Sequence, residues 1–557
     1  MKNSNSKEKK PIDNAFSLIG KYIRVKYPFV ILFLIGFLLL SLLNLIKVST
    51  NDSIANFKLN DFEVGQIADR TIIANKSLAP DGINPVSIEK GEKIIKKGFP
   101  VSEEGYAKLK KMSESPVYID YRAFANHELF LFLVAILFYC LFSFIPFRRT
   151  VRLNEVILDS IFCLAVYAAA AFCSKLVLFS SEYSICVIIP ASLFIMLVTI
   201  LYGQTPAVIL SLIMSLLVLS ATNMSLIPFL FTFATCMISC AIVRKISRRL
   251  DLVFASLILS LVNVAYVIAL VVIFNDSFFT AGPAIAGVAV NGFLSGILTL
   301  GLVTPLEFIL NTSSVFRLMD LSDLNNSLMR KMLVTASGTY NHSLMVAQLA
   351  ESACREIGAN ALVARVGAYY HDIGKIDQSE YFVENQQGVN KHNDINPSLS
   401  ASVIKSHVKK GVEKARQLHL PQSVIDIISE HHGNSVIQYF YNEAVKKDPL
   451  VSPEDYSYPG TPPSTRESAV VMLADTVEAA CRTLENPSVS RLDKFISQLI
   501  SAKVEHKQLD NCDLTFRDIS RIKEAFIQIL AGYYHSRIEY PDQQDPDKDK
   551  EKEKVKK

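Results

Sequence analysis

The amino-acid sequence predicts an all-α protein: a polytopic bundle of about eight membrane-spanning helices, followed by a soluble, all-helical domain. A small α+β segment is expected between the first two spans. The 557 residues have a mean hydropathy of +0.28 and are 50% apolar, which is too apolar for one ordinary soluble domain. Charge is also uneven, because 128–310 contains 15 Asp, Glu, Lys and Arg residues and 311–557 contains 63. The first stretch is therefore membrane-like and the second is soluble-like.

The first span is predicted at 28–46, after a basic N-terminal segment at 1–27. Its 19 residues carry no charge, and a helix needs about 20 apolar residues to cross a bilayer. A cleaved signal peptide is the alternative, but its apolar core is usually about 7–15 residues long and a small-residue cleavage site should follow it. Because this run is longer and no clear site follows, we expect a retained span.

Seven further spans are expected within 128–310. The stretch 183–243 has no charged residue and is long enough for three crossings, with turns near 202–204 and 221–223. The candidate spans are 129–147, 156–179, 184–201, 207–221, 225–243, 252–274 and 284–306.

Basic residues in the short loops predict the orientation of these spans. Seven of the eight Lys and Arg residues in 128–310 fall in two loops: Arg148, Arg149, Arg152, Arg244, Lys245, Arg248 and Arg249. Loops rich in Lys and Arg tend to stay in the cytoplasm. With eight spans, 47–127 then lies outside and everything after about 310 lies inside.

The outer segment 47–127 has mixed polarity and contains none of the nine cysteines, so no disulfide framework is expected there. Within it, 87–100 is predicted to form a strand, a turn and a second strand, and 102–112 an amphipathic helix. The sequence names no ligand for this segment.

Residues 311–540 are predicted to form the soluble domain, because apolar residues recur there at spacings of three and four. The expected helices are 343–357, 361–370, 398–410, 421–430, 468–484 and 519–534. The tail at 541–557 carries six acidic and six basic residues and is predicted to be disordered.

Histidines are concentrated in this domain, which contains nine of the ten. Five of them join two aspartates in a candidate metal site: His342, His371, Asp372, His407, His431, His432 and Asp475. Imidazole nitrogens and carboxylate oxygens suit first-row divalent metals, and the absence of a Cys pair argues against a structural zinc site. A lone histidine is more often a solvated residue than a ligand, but one common site explains all seven residues.

Seven ligands are more than one ion needs. If Asp372 offers an oxygen to each of two ions, the other residues divide into two groups: His342, His371 and Asp475 in one, and His407, His431 and His432 in the other. Two ions about 3.5–4 Å apart clamp the attacking and leaving oxygens of a phosphoryl displacement. The predicted reaction class is therefore phosphoester hydrolysis.

Longer motifs surround these residues. The chain carries GTYNHS at 338–343, YYHDIGK at 369–375, EHHG at 430–433 and MLADTVEAACRTL at 472–484. At these motifs it resembles the seven-transmembrane HD-domain (7TM-HD) family, whose PgpH-type members are cyclic-di-AMP phosphodiesterases. The layout of one span, an outer segment and seven more spans before an HD domain is also similar.

The resemblance implies two divalent ions, iron or manganese, and attack by a metal-bridging hydroxide on cyclic di-AMP to give linear pApA. It implies catalytic roles for Asp372 and Lys375, and phosphate contacts from Lys375 and Arg482. It also implies a multi-pass protein of the bacterial inner membrane whose catalytic domain is cytoplasmic. The expected partners are cyclic di-AMP, the lipid bilayer, an unidentified outer ligand and a second copy of the chain, but no nucleic-acid polymer.

Three other functions match parts of the pattern. A cyclic-di-GMP phosphodiesterase of the HD-GYP type needs a GYP element after the double histidine, where this chain reads NSVIQY. A one-metal HD nucleotidase or triphosphohydrolase does not need His407 or the pair His431 and His432. A membrane receptor that binds a nucleotide without cleaving it requires a defect elsewhere in the site, since all seven candidate ligands are present.

Overall fold

The protein is described here from a computed structural model. The chain divides into two compact units, Met1–Leu310 and Asn311–Lys557. Arg148, Arg149 and the charged tail at 541–557 lie outside the described part of the chain. The structure describes residues 11–48, 57, 59–74, 76–80, 85–114, 121–144, 151–173, 181–386, 388, 390–484 and 487–534.

The first unit contains eight candidate membrane spans among its described residues, which confirms the predicted number. One of them, 182–202, consists of two helices that are interrupted next to Pro190, which has no backbone N–H to continue a helical ladder. The helices of this unit that are long enough to span, or that share a span, are α1 Pro11–Val48, α3 Tyr121–Phe144, α4 Leu153–Cys173, α5 Glu182–Ile188, α6 Ala191–Tyr202, α7 Gln204–Ala221, α8 Leu226–Val243, α9 Arg249–Ile273 and α10 Phe278–Leu310; α2, Glu103–Ser113, belongs to the outer segment.

Small residues let α9 and α10 approach closely. A Cβ atom added to Gly296 would lie 2.3 Å from the Cβ of Ser256, and one added to Gly292 would lie 2.8 Å from the backbone of Ser260. Membrane helices use such small residues to pack, because lipid tails offer no hydrophobic driving force for helix association.

The outer segment is an α+β unit with its own apolar core, which includes Phe62 and Leu109. Strand β1, Ile72–Ile73, pairs antiparallel with β2, Lys93–Ile95. Within 87–100, β2 is the second predicted strand, whereas the first is only an isolated bridge from Ile88 to Leu78. Pro100 also forms an isolated bridge, with Ile67, so this stretch pairs with the preceding stretch, 67–78. Alternation of apolar residues predicts strands but does not name their partners.

The second unit is helical, as predicted. Helix α13 packs against α14, α18 and α20 around a core that includes Val346, Val470 and Phe526. The helices are α11 Val315–Leu321, α12 Ser327–Thr335, α13 Ser337–Glu356, α14 Ala361–Tyr370, α15 Pro397–Gln417, α16 Gln422–Glu430, α17 Gln438–Lys447, α18 Arg466–Cys481, α19 Val489–Glu505 and α20 Phe516–Tyr534, with short 3-10 helices at Ile373–Tyr381, Val383–Asn385, Lys391–Asp394 and Pro453–Tyr456. All six expected helices are present, and α11, α12, α17 and α19 are additional.

Replacing Gly296 with leucine should destabilise the first unit by about 1–3 kcal/mol, because extra atoms in a close-packed interface force strain. Gly301→Leu, on the same helix, is the matched control, since an added Cβ there meets nothing within 4 Å. Thermal unfolding of the full-length protein in detergent micelles measures both. A melting temperature of Gly296→Leu equal to that of the wild type would contradict the assigned packing.

Candidate metal centre

The second unit brings all seven candidate ligands together from five segments. Each lies on a helix of the core or directly after one, so packing fixes its position. The placements are His342 on α13, His371 and Asp372 after α14, His407 on α15, His431 and His432 after α16, and Asp475 on α18.

Close backbone contacts bring these segments within reach of one another. A Cβ atom on Gly374 would lie 1.9 Å from the carbonyl oxygen of His407, so only glycine lets the turn after Asp372 contact α15. Gly433 has a φ of +55° and ends the turn that carries the two adjacent histidines. A Cβ atom on Gly460 would lie 2.7 Å from the carbonyl oxygen of Gly433. The 458–460 segment therefore packs directly against that turn.

Asp372 lies at the centre, and its two oxygens face different imidazoles. Its Oδ2 is 3.2 Å from Nε2 of His371 and 3.6 Å from Nε2 of His342. Its Oδ1 is 3.4 Å from Nε2 of His407 and 3.7 Å from Nε2 of His431. The carboxylate therefore sits between two groups of nitrogen donors.

Asp475 completes one group and contacts the other. Its Oδ1 is 3.1 Å from Nε2 of His342, and its Oδ2 is 3.6 Å from Nδ1 of His432. Donor atoms within 4.8 Å of one another form three sets: His342, His371 and Asp475; His407, His431 and His432; and His371, Asp372 and His431. The side chains of His432 and Asp475 are 23% and 11% exposed, against 1% for Asp372, so the centre opens to solvent on their side.

Hydrogen bonds to the far ring nitrogens orient the imidazoles. Nδ1 of His371, His407 and His431 each lies 2.6–2.8 Å from the carbonyl oxygen three residues earlier. Nδ1 of His342 lies 2.5 Å from Oε2 of Glu478. Such partners hold the proton on Nδ1 and leave Nε2 free to bind a metal.

Electrostatics favour the ligand-competent forms of several groups. Burial lowers the pKa of His407 to about 4 and that of His431 to about 3, so both rings are neutral near pH 7. Burial opposes the charge of Asp372, but His371 and Lys375 outweigh it and hold the pKa of that carboxyl well below its usual range. His342 is the exception, because Asp475 and Glu478 outweigh the effect of burial and raise its pKa to about 10. Metal binding at its Nε2 must therefore displace a proton.

The residues fit a metal, because buried donor atoms lack directed partners. Neither oxygen of Asp372 nor Nε2 of His371 makes a well-formed hydrogen bond to any described residue, although Nζ of Lys375 is 2.6 Å from Oδ2 of Asp372. A buried polar group without a partner is costly. A divalent cation among these nitrogen and oxygen atoms satisfies them.

The two predicted phosphate contacts have different surroundings. Lys375 is largely buried, with Nζ 2.6 Å from Asp372 and 2.9 Å from Oε1 of Glu384. Arg482 pairs with Glu478, and its side chain is 47% exposed. Lys375 is therefore adjacent to the centre itself, whereas Arg482 reaches it through a partner of His342.

Three neighbouring residues escaped the sequence analysis. Glu478 follows Asp475 by three positions on one helix, a spacing that could have revealed it. Tyr458 stacks on His432, with ring centroids 4.2 Å apart and planes at 25°. Glu384, which binds Lys375, lies in a short 3-10 helix, and neither it nor Tyr458 lies in a periodic pattern.

Comparison with known families agrees with both units. Residues 126–314 match the family described as 7TM receptor with intracellular HD hydrolase, and 339–480 match the HD domain. The chain therefore belongs to the family of seven-transmembrane proteins with an intracellular HD domain. It is a multi-pass membrane protein.

Within this family, the chain is similar to the cyclic-di-AMP phosphodiesterase PgpH. It is 34% identical to PgpH of Listeria monocytogenes serotype 1/2a (strain 10403S) over 483 residues, which cover 85% of this chain and 66% of that protein. It is 39% identical to PgpH of Bacillus subtilis (strain 168) over 301 residues, covering 54% of this chain and 42% of that one. The chain thus spans less than two thirds of either relative.

A crystal structure of the L. monocytogenes PgpH HD domain in complex with cyclic di-AMP is also similar. Its sequence is 42% identical, and the match covers 39% of this chain and 100% of that chain with a TM-score of 0.37.

Replacing Glu478 with glutamine should weaken metal binding about 10–100-fold, because hydrogen-bond partners of ligating histidines tune affinity by this amount. Glu443→Gln, on α17 and paired with Lys446, is the matched control. Each full-length variant is loaded with manganese and titrated with a chelator, and the manganese that stays bound at each chelator concentration is measured. Equal retention by Glu478→Gln and the control would rule out the assigned role.

Proposed function

We propose that this chain is a phosphodiesterase of the bacterial inner membrane that uses two divalent transition-metal ions to hydrolyse cyclic di-AMP to linear pApA. The observation that carries the proposal is the position of Asp372 between two groups of imidazoles, one facing each of its oxygens. A bridging carboxylate between two nitrogen-donor groups suits two ions that share one ligand. The names of the two PgpH relatives support the choice of substrate.

The chain's own residues then have distinct tasks. Asp372 links the two halves of the centre, and Asp475 and His432 line its more exposed side, where the substrate enters. Ions bound here supply polarisation of the phosphate oxygens and a lowered pKa for the attacking water. Lys375, whose pKa is raised because Asp372 and Glu384 outweigh the effect of burial, stays positively charged beside the phosphate and stabilises the negative charge that develops on it.

Full-length protein loaded with manganese or iron should convert cyclic di-AMP to pApA, and Asp372→Ala should reduce this activity to background, because both metal groups lose their shared ligand. Asp493→Ala, a partly exposed residue paired with Lys523 on the surface, should retain full activity. Chromatographic separation of product and substrate measures both.

The same assay with cyclic di-GMP and deoxynucleoside triphosphates distinguishes the alternatives. Preferential cleavage of either, or unchanged cleavage of cyclic di-AMP by Asp372→Ala, would contradict the proposal. Binding of cyclic di-AMP without turnover by the metal-loaded wild type would favour the receptor alternative.

Lys375→Ala should lower kcat about 10²–10³-fold, the usual loss when one buried group that stabilises transition-state charge is removed. Arg482→Ala should lower it less than about tenfold, because solvent screens a half-exposed charge. Steady-state kinetics on cyclic di-AMP with saturating metal separate kcat from KM. Equal losses in the two variants would refute the distinction between the buried and the exposed cation.

A further inference from the structure

An apolar cavity lies between four membrane helices, α1, α3, α4 and α7. It has a volume of about 640 Å³, counting its open mouth, and its lining is almost entirely aliphatic and aromatic, including Phe33, Phe37, Phe138 and Leu217. The metal centre belongs to the other unit and uses none of these residues.

Polar residues follow the cavity lining at one end. Asn44 comes four residues after Leu40, Tyr167 four after Cys163, and Ser220 three after Leu217. Residues three or four apart lie on the same helical face, so these buried side chains lie one turn beyond the lining on the same faces of α1, α4 and α7.

Helix α3 contributes to the same polar end. Glu128 lies seven residues, or two turns, before the lining residue Ala135, and its Oε2 accepts a hydrogen bond of 3.1 Å from Asn44. Lys47, on α1, donates one of 2.6 Å to the carbonyl oxygen of Ser220 on α7. The four helices that surround the cavity therefore also meet in one polar cluster.

This polar cluster has unused hydrogen-bonding capacity. The amide oxygen of Asn44 and Nδ1 of His127 are buried and have no hydrogen-bond partner among the described residues. The hydroxyls of Tyr167 and Ser220 interact with each other, but neither makes a well-directed hydrogen bond to any described residue. The bilayer core offers no water to such groups. A ligand with a hydroxyl or acid group, which can donate as well as accept, is therefore a suitable partner.

We propose that this cavity binds a lipid-like amphiphile, with one acyl chain between the four helices and an oxygen-rich head at the polar cluster. The apolar lining matches a hydrocarbon chain, and the unsatisfied groups of the polar cluster match a hydroxyl or acid group, which can both donate and accept. A free fatty acid and a membrane glycerolipid share this chemistry. The site lies between α1 and α3, the two helices that flank the outer segment.

The test uses full-length protein in detergent micelles with two probes: a diazirine-bearing fatty acid, and a phosphatidylglycerol that carries the same photoreactive chain. After illumination, mass spectrometry maps the labelled peptides. Gly36 lines the cavity and has no atom within 4 Å of an added Cβ, so Gly36→Leu fills the cavity without a backbone clash. Gly301→Leu, on α10 and equally open, is the matched control.

Labelling of cavity peptides should fall about tenfold or more in Gly36→Leu, because the leucine side chain occupies the space that the acyl chain of the probe needs. Labelling should be unchanged in Gly301→Leu. Tyr167→Phe, which removes only a hydroxyl, should raise the probe concentration that half-saturates labelling. Success with only one probe identifies the free acid or the glycerolipid as the source. Labelling that persists in Gly36→Leu, or that spreads evenly over the lipid-facing helices, would overturn the proposal.

Discussion

The buried carboxylate of Asp372 is the constraint on which the soluble unit depends. A charge with 1% exposure is tolerated only where opposite charges or coordinated cations surround it. The chain supplies one ammonium, from Lys375, and places imidazole nitrogens around the remaining directions. Each helix that carries one of these histidines must therefore place its imidazole nitrogen close to the carboxylate of Asp372.

The local charge balance explains why cations belong here. Four carboxylates are buried or nearly so at the centre, those of Asp372, Asp475, Glu478 and Glu384. Lys375 pairs with Asp372 and Glu384, and Arg482 pairs with Glu478. Because His407 and His431 are neutral near pH 7, divalent ions bound among these rings would add the positive charge that the buried carboxylates of Asp372 and Asp475 favour. Glu478 thus has two effects: it orients the ring of His342, and it adds negative charge close to the centre.

Much of this arrangement could be predicted from the sequence. Apolar runs predicted the number of spans, helical periodicity predicted six helices of the soluble unit, and the adjacent pairs His371–Asp372 and His431–His432 predicted candidate ligands that the fold brings together. These signals are local. Tyr458 and Glu384 escaped prediction because backbone contacts at Gly460 and Gly338, between distant segments, fix their positions. The outer strand pairing escaped for the same reason, since alternation does not select a partner.

X-ray absorption spectroscopy of the manganese-loaded full-length protein tests the central claim most directly, because it reports the atoms around each ion without any assay of turnover. We predict imidazole nitrogen and carboxylate oxygen ligands and a second metal at about 3.5–4 Å. That metal–metal signal should disappear in Asp372→Ala. Absence of a metal neighbour in fully loaded wild-type protein, or its persistence in the variant, would contradict a two-metal centre that Asp372 bridges.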